Sequence, residues 1–242
     1  MLKLFLLFLL FEFAFSLDAT MEIVKTKSSL PTINVTASLG SLKENGISTK
    51  LLKLIQKDLE VSCHFNESLV TIESEFSQTP QYKILSENKI DLYLVFEMSL
   101  DKEKRYVINT KLYDVNSQKE VQSKSYITSS FDLYPFLAHK IAIDINKYLK
   151  APSIEWMNKF VIFSRYLDSK TSEIVISDYT LTYQKVVVRG GLNIFPKWAN
   201  SEQNAFYYTS YNGLVPALMK QNLYTNKLET LLTSDGMIVC SD

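Results

Sequence analysis

The sequence predicts a small α/β (α+β) N-terminal domain followed by the blades of an all-β propeller, of which about two are present. Strand and helix patterns alternate as far as Lys150, whereas strand patterns alone follow Ser153. The later strands also repeat, at an interval of about 45 residues. Short strands that recur at this interval are typical of propeller blades, each of which is a four-stranded sheet.

The first 16 residues have the pattern of a secretory signal peptide. Lys3 precedes an apolar run from Leu4 to Phe15, and the small residues Ala14 and Ser16 suit a cleavage site. The run is shorter than the ~20 apolar residues that cross a bilayer. We therefore expect a soluble, exported chain that begins near Leu17 and resides in the periplasm. A buried N-terminal strand or helix is the alternative.

The composition excludes several classes of function. The chain has 26 basic and 26 acidic residues and a formal net charge of zero, so no strong field attracts nucleic acid or anionic lipid. Cys63 and Cys240 lie in different predicted domains, and we expect two buried thiols rather than a mutual disulfide. With His64 and His139 as the only histidines, no metal-ligand spacing is present. We expect no metal and no other cofactor.

The first predicted domain, residues 17–150, contains a sheet. Alternating or continuous apolar patterns predict its strands at Pro31–Ala37, Leu69–Ile72, Ile90–Phe96, Arg105–Tyr113 and Glu120–Ile127. The strongly apolar Ile90–Phe96 run is typical of a central strand. Polar segments separate the last three runs, which favours consecutive antiparallel hairpins.

Two main helices are predicted to cover this sheet. The first ends near Leu59, and Ser48 or Thr49 is its predicted N-cap. The second carries Pro135 in its first turn, a position that proline tolerates. Apolar residues at helical spacing give each helix one buried face, namely Leu51, Ile55 and Leu59 in the first and Leu137, Ile141 and Ile145 in the second.

The second predicted domain, residues 151–242, contains two similar units of strands. The matching segments are Phe160–Ser164 with Phe206–Ser210, Glu173–Ile176 with Ala217–Lys220, and Val186–Gly191 with Thr230–Gly236. The faces of a blade are covered only by neighbouring blades, and a closed ring takes about 4–8 of them. Because Met237–Asp242 stands where the first unit has Leu192–Trp198, we expect a truncated chain or a fragment with an incomplete ring.

Short motifs along the chain match the pattern of one protein family. They are, in chain order, Asp58–Asn66, Ile90–Asp91, Leu112–Val115, Ala138–His139, Ile176–Tyr179 and Phe195–Trp198. Their order and spacing resemble the TolB family of the bacterial Tol–Pal envelope system. The resemblance covers nearly all of the mature chain, with Cys63 and Lys89 at positions where the family pattern has glycine.

The resemblance implies a periplasmic adaptor that is not an enzyme and has no small-molecule substrate. It implies a role in outer-membrane integrity and in outer-membrane invagination during cell division. The implied partners are a TolA-like inner-membrane protein and a Pal-like outer-membrane lipoprotein. The TolA-type contact would use the N-terminal segment Leu17, Asp18, Ala19, Thr20, Met21, Glu22, Ile23 and Val24. The Pal-type contact would use a propeller mouth that includes Asn193, Ile194, Phe195, Met237 and Ile238.

Catalysis has little support in the residues. The sequence has no Gly-x-Ser-x-Gly elbow, no phosphate-binding glycine loop and no His-Glu-x-x-His helix. His139 lies among apolar helical positions and is expected to be structural, as is His64. The main alternative is the N-terminal propeller region of an exported prolyl-oligopeptidase-like hydrolase. A surface-binding protein or adhesin remains open, and so does an ordinary edge strand for residues 17–24.

Overall fold

The computed structural model describes residues 30–43 and 46–240. The predicted signal peptide and the segment Leu17–Val24 lie outside the described residues. Within the described ranges, the helices are all too short or too polar to cross a membrane.

The first part of the described chain alternates strands and helices, as predicted. Its elements are β1 (Thr32–Ala37), α1 (Ile47–Ser62), β2 (Asn66–Glu67), α2 (Tyr82–Glu87), β3 (Leu92–Leu100), β4 (Tyr106–Asp114), β5 (Lys119–Thr128) and α3 (Tyr134–Tyr148). The strands described here form a five-stranded sheet in the order β2-β1-β3-β4-β5. β1 is parallel to β2 and β3, while β3, β4 and β5 are antiparallel neighbours. The predicted central strand and consecutive hairpins are confirmed.

The main core lies between this sheet and the helices α1 and α3. Alternate residues of β3 point into it, and so do the apolar stripes of both helices. Its fully buried members include Leu51, Ile55, Leu59, Leu94, Phe96, Ile108 and Ile141. The short helix α2, which no sequence pattern predicts, covers a smaller core around Tyr93 and Val95 on the other face. β3 is therefore buried on both faces.

The predicted N-cap of α1 is wrong. The helix begins at Ile47 after Gly46, whose left-handed conformation (φ 65°) is one that glycine adopts without steric cost. Ser48 and Thr49 lie inside the first turn. The hydroxyl of Ser48 donates to the carbonyl of Leu42 at 2.6 Å, so it anchors the preceding loop instead of the helix end.

The predicted strand Leu69–Ile72 is also wrong, because the strand at this edge is the two-residue β2. The side chain of Asn34 on β1 donates to the carbonyls of Ser68 and Val70, at 2.9 and 2.8 Å. A side-chain amide thus takes the acceptors that a strand ladder would use, and the segment runs irregularly beside β1. Leu69 is 78% exposed as a result.

Two positions where the family pattern has glycine adopt left-handed backbone conformations. Cys63 caps the C-terminus of α1 at φ 58°, and Lys89 follows α2 at φ 55°. Glycine is favoured at such helix ends because it has no Cβ to clash with the carbonyl. The expected burial of the thiols is wrong, since Cys63 is exposed and Cys240 half-buried. Neither of these two described cysteines forms a disulfide.

The second part of the described chain consists mainly of strands. They are β6 (Val161–Tyr166), β7 (Ser172–Ser177), β8 (Gln184–Val188), β9 (Asn193–Trp198), β10 (Ala205–Ser210), β11 (Ala217–Asn222) and β12 (Leu228–Thr233). A 3-10 turn at Glu155–Asn158 precedes these strands. The sequence patterns do not predict this turn. The predicted pairs of repeated segments correspond to β6 and β10, β7 and β11, and β8 and β12.

These strands form two antiparallel sheets in the described chain, one of three strands (β6-β7-β8) and one of four (β9-β10-β11-β12). The sheets pack together through an apolar layer around Ile174, Phe206 and Tyr208. The indole N–H of Trp198 also donates to the carbonyl of Phe160 at 3.1 Å. The described sheets are two neighbouring blades of an unclosed propeller.

Replacing Phe96 by alanine is expected to lower the free energy of unfolding by about 3–5 kcal/mol, because its ring is fully buried in the main core. Ile127→Ala on β5 of the same sheet is the matched control. Its side chain is 52% exposed, so the expected change is about 0.5 kcal/mol or less. Urea unfolding curves measure both, and similar losses for the two variants would contradict this core.

Candidate functional site between the α/β region and the first blade

Three residues from distant motifs meet in one buried network. Asp58 lies on α1, His139 on α3, and Asp178 in the turn that follows β7. The ring of His139 lies between the two carboxylates, with Nδ1 2.7 Å from Asp58 Oδ2 and Nε2 3.3 Å from Asp178 Oδ2. All three side chains are inaccessible to solvent. The network therefore joins the α/β region to the first blade.

The turn after β7 is organised around Asp178. One carboxylate oxygen accepts the backbone N–H of Tyr183 at 2.6 Å. The other accepts the backbone N–H of Thr180 at 2.8 Å and also its hydroxyl. An aspartate that binds backbone N–H groups further along the chain stabilises a tight turn. The position of Asp178 is thus fixed by its own turn, independently of His139.

Asp58 has partners from both sides of the junction. The hydroxyl of Tyr179 donates to Asp58 Oδ1 at 2.6 Å, while Asp58 Oδ2 is the oxygen that contacts His139. Tyr179 belongs to the same turn as Asp178. Two side chains of this turn therefore reach the α/β region, Tyr179 at Asp58 and Asp178 at His139.

The electrostatics favour an imidazolium between two carboxylates. Burial opposes the charge of His139, but its bonds to Asp178 and Asp58 outweigh this and raise the pKa of the imidazole above its ordinary value. Burial likewise opposes the charge of Asp178, yet the bonds from His139, Thr180 and Tyr183 hold its pKa below the ordinary range. Burial and the Asp58 contact raise the pKa of the Tyr179 phenol, which stays protonated as a donor.

Aromatic rings enclose the network. Tyr179 lies against the imidazole of His139 with ring centroids 4.9 Å apart, and Phe136 meets it edge-on at 5.9 Å. Trp156, from the 3-10 turn, packs on Tyr179 at 5.1 Å. This shell keeps water away from the charges, which strengthens their interaction.

A series of aromatic contacts continues from this shell into the second blade. Phe136 packs against Phe160 at 4.9 Å, and Phe160 lies 6.4 Å from Trp198 on β9. Trp198 then meets Phe206 on β10 edge-on at 6.2 Å. Packed rings thus connect the network to the strand that carries the predicted mouth residues.

The structure brings the predicted mouth segments together but buries most of them. Thr209 pairs with Ile194 across β9 and β10, and its hydroxyl donates to the carbonyl of Ile238 at 2.5 Å. Asn193, Ile194 and Ile238 are buried. Phe195 and Met237 are 41% and 72% exposed, so these are the two predicted mouth residues with exposed side chains.

Phe195 is exposed because β9 bulges at this position. Tyr207 pairs with Lys197 and Thr209 with Ile194, so two residues of β9 lie opposite one residue of β10. Phe195 has a left-handed backbone (φ 55°), which is strained for a bulky residue. Bulges of this kind re-aim a side chain and are common beside functional sites.

His64 has a structural role at the same junction. Its Nδ1 lies 2.6 Å from Asn146 Oδ1 on α3, and the amide of Asn146 donates to the carbonyl of Pro152 at 2.8 Å. The end of α1, α3 and the connection to the blades are thereby linked. Both histidines are hydrogen-bonded within the fold, as predicted.

A cleft of about 650 Å³ opens near the network, where the start of α3 faces the β7–β8 turn. Its lining is mixed in polarity and includes Ser130, Asp132, Tyr134, Thr182, Tyr183 and Lys185. Within the described chain, no group of histidine, cysteine and acidic side chains is arranged to hold a metal ion.

Comparisons with known proteins agree with this architecture. Residues 19–121 match the family model described as the TolB amino-terminal domain. Over 230 residues, the chain is 44% identical to a protein of Wolinella succinogenes named Tol-Pal system protein TolB, and this covers 94% of the chain. The chain matches TolB over nearly its whole length. The TolB protein of Helicobacter hepaticus is 45% identical over 232 residues.

The chain spans about half the length of the TolB relatives it matches, 54% of the Wolinella protein and 53% of the Helicobacter protein. The crystal structure of TolB from Acinetobacter baumannii superimposes with a TM-score of 0.68 at 17% identity. That superposition covers 86% of this chain and 51% of the other, and it shows a shared fold.

The sequence motifs contain all three residues of the network but do not predict that these residues contact one another. Asp58, His139 and Asp178 each lie in a motif that the TolB resemblance rests on. One signal was present in the sequence, since each is a polar residue within or beside an apolar pattern. Such residues are buried only when a partner satisfies them, which makes a shared site the natural hypothesis.

Replacing Tyr179 by phenylalanine is expected to lower the free energy of unfolding by about 1.5–3 kcal/mol, because a buried carboxylate loses a hydrogen-bond donor. Tyr166→Phe is the matched control, since the same hydroxyl is removed from a residue that is 61% exposed. Urea unfolding measures both. Equal stability of Tyr179→Phe and the parent chain would contradict the network.

Proposed function

We propose that this chain is a component of the Tol–Pal system, a non-enzymatic periplasmic adaptor that acts through protein surfaces. The proposal rests chiefly on the extent of the match, because TolB relatives named for that system align with 94% of the chain. The apolar leader supports export to the periplasm. In this proposal residues 17–150 and 151–242 are its two domains. The TolB relatives favour this function over the hydrolase and adhesin alternatives.

The proposed TolA-type contact uses the mature N-terminal segment, Leu17–Val24. This segment precedes β1, whose edge is paired at Thr32 and Ile33 by the short β2. A cleft of about 270 Å³ lies beside the rest of that edge, and its lining includes Val35, Ala37, Leu52, Leu69, Val70 and Ile72. An extended segment with apolar anchors can pack there or bind a partner by strand addition.

The proposed Pal-type contact is centred on Phe195 and Met237. Both side chains are exposed, and they lie beside residues that the two blades hold rigidly. An aromatic side chain on a rigid support is a common anchor in protein interfaces. The buried Asn193, Ile194 and Ile238 would support this surface from below.

Coupling between the two contacts would be a shift in population between two states. Pal binding would favour one state of the N-terminal segment and TolA binding the other. The buried network and the aromatic contacts around Phe136 and Trp198 connect the two regions physically. Reciprocal changes in affinity for the two partners are the signature of such coupling.

Deleting Leu17–Val24 from the mature chain is expected to abolish binding to a TolA-type protein, because the segment that adds as a strand is lost. Isothermal titration calorimetry measures the affinity. A matched pair separates anchoring from chain length, since Ile23→Ser is expected to weaken binding and Thr20→Ser to leave it unchanged. Retention of TolA binding after the deletion would refute the N-terminal contact.

Replacing Phe195 by alanine is expected to weaken binding to a Pal-type lipoprotein by about 5- to 30-fold, the loss of about 1–2 kcal/mol from one interface anchor. Tyr224→Ala is the control, because it removes another exposed aromatic side chain, from the turn between β11 and β12 of the same sheet. Surface plasmon resonance with the soluble part of the lipoprotein gives both affinities. Equal affinities for the two variants would remove Phe195 from the contact.

A further inference from the structure

The hydrogen-bonding capacity of an imidazole sets a condition on the buried network. A neutral imidazole has one N–H donor, whereas an imidazolium has two. Both ring nitrogens of His139 face carboxylate oxygens, at 2.7 Å for Asp58 and 3.3 Å for Asp178. A carboxylate cannot donate to a bare ring nitrogen, so only the protonated ring satisfies both contacts.

We propose that His139 is a proton-dependent latch between the α/β region and the first blade. In its protonated form it bridges Asp58 and Asp178 and holds the two regions in the orientation seen here. Loss of the proton releases the first blade from α3. The inference goes beyond the proposed function and requires neither partner.

The neighbours of the ring decide which contact breaks. Asp178 keeps the N–H groups of Thr180 and Tyr183 whatever the state of His139. Asp58 accepts from Tyr179 and otherwise depends on the ring, and its contact with the ring is the shorter one. The remaining proton therefore stays on Nδ1. The lone pair of Nε2 then faces Asp178, and the contact between the two regions becomes repulsive.

Ionisable groups from three elements surround the ring of His139. α1 contributes Asp58, and the β7–β8 turn contributes Asp178 and Tyr179. α3 itself contributes Tyr134, whose pKa is raised by burial and by Asp178. The two phenols, with pKa values raised from an ordinary value of about 10, stay neutral in this range. His139 is the member whose charge changes.

The sign of the pH effect follows from the raised pKa of His139. A group whose pKa is higher in the closed form stabilises that form fully at pH below its free value, about 6.5 for histidine. This stabilisation is lost as the pH rises through the raised pKa. For one proton, the opening equilibrium rises by at most about tenfold per pH unit in that interval.

Other contacts at the junction make release a change of angle rather than a separation. The amide of Asn146 holds the carbonyl of Pro152 and makes no contact with His139. Ile143 on α3 packs with Ile154 and Met157 in a small apolar cluster. These contacts form a hinge beside the latch and remain in place when His139 loses its proton.

The first test measures the titration of His139 by proton NMR. The ring signals of the two histidines are assigned with the variant His64→Gln. We expect His139 to titrate with a midpoint above 6.5 and Asp178→Asn to lower that midpoint, because the variant removes the facing charge. A midpoint at or below 6.5, or one that Asp178→Asn leaves unchanged, would overturn the latch.

The second test measures the orientation of the two regions. The native Cys63 and an introduced Lys170→Cys, in a Cys240→Ser background, carry a donor and an acceptor dye. We expect a second distance to appear as the pH rises, with the midpoint of the His139 titration. Tyr179→Phe, which keeps the titrating ring, is expected to move the transition to lower pH.

His139→Gln is the control that removes the titration while keeping one side-chain donor. It is expected to give a distance distribution that does not change with pH. Should this variant not fold, Asp178→Asn replaces it: His139 still titrates there, but no carboxylate faces Nε2, so the distance distribution is again expected not to change with pH. A distance distribution that stays constant while His139 titrates in the parent chain would refute the proposal.

Discussion

An imidazole buried between two carboxylates constrains how this chain assembles. Removing such charges from water is costly, and the cost is offset only if their partners surround them. Asp58, His139 and Asp178 come from α1, α3 and the turn after β7, so those three elements must meet in one geometry. The orientation of the first blade on the α/β region follows from that requirement. The aromatic shell around Tyr179 strengthens it by excluding water.

The second blade depends on the first. The first sheet, with three strands among the described residues, lies against the α/β region, and the second, with four, packs on it through Ile174, Phe206 and Tyr208. Trp198 connects the second blade to the start of the first, because it contacts Phe160 as well as Phe206. Packed rings therefore connect the junction to β9. This is the strand in which the bulge presents Phe195.

The distribution of exposed and buried groups suits a protein that acts by binding. The side chains of Asp58, His139 and Asp178 are sealed inside the junction. The exposed features are an apolar edge beside β1 and the strained Phe195. Rigid sheets hold both of them. The proposed latch at the junction would give these surfaces two orientations.

The sequence by itself determined the elements whose patterns are local. Period-two alternation and the apolar run at Ile90–Phe96 predicted the central strand and its hairpins, because a strand repeats every two residues. The repeat of about 45 residues predicted two blades, because each blade contains one copy of the repeated strands. The predicted strand at Leu69–Ile72 was wrong because the side-chain amide of Asn34 bonds to that segment. The predicted burial of Cys63 was wrong because this residue lies at the left-handed end of α1. Neither feature leaves a local pattern. Only the tertiary structure decided that residues 81 and 39 positions apart meet at one imidazole ring, since that depends on how helices and blades pack.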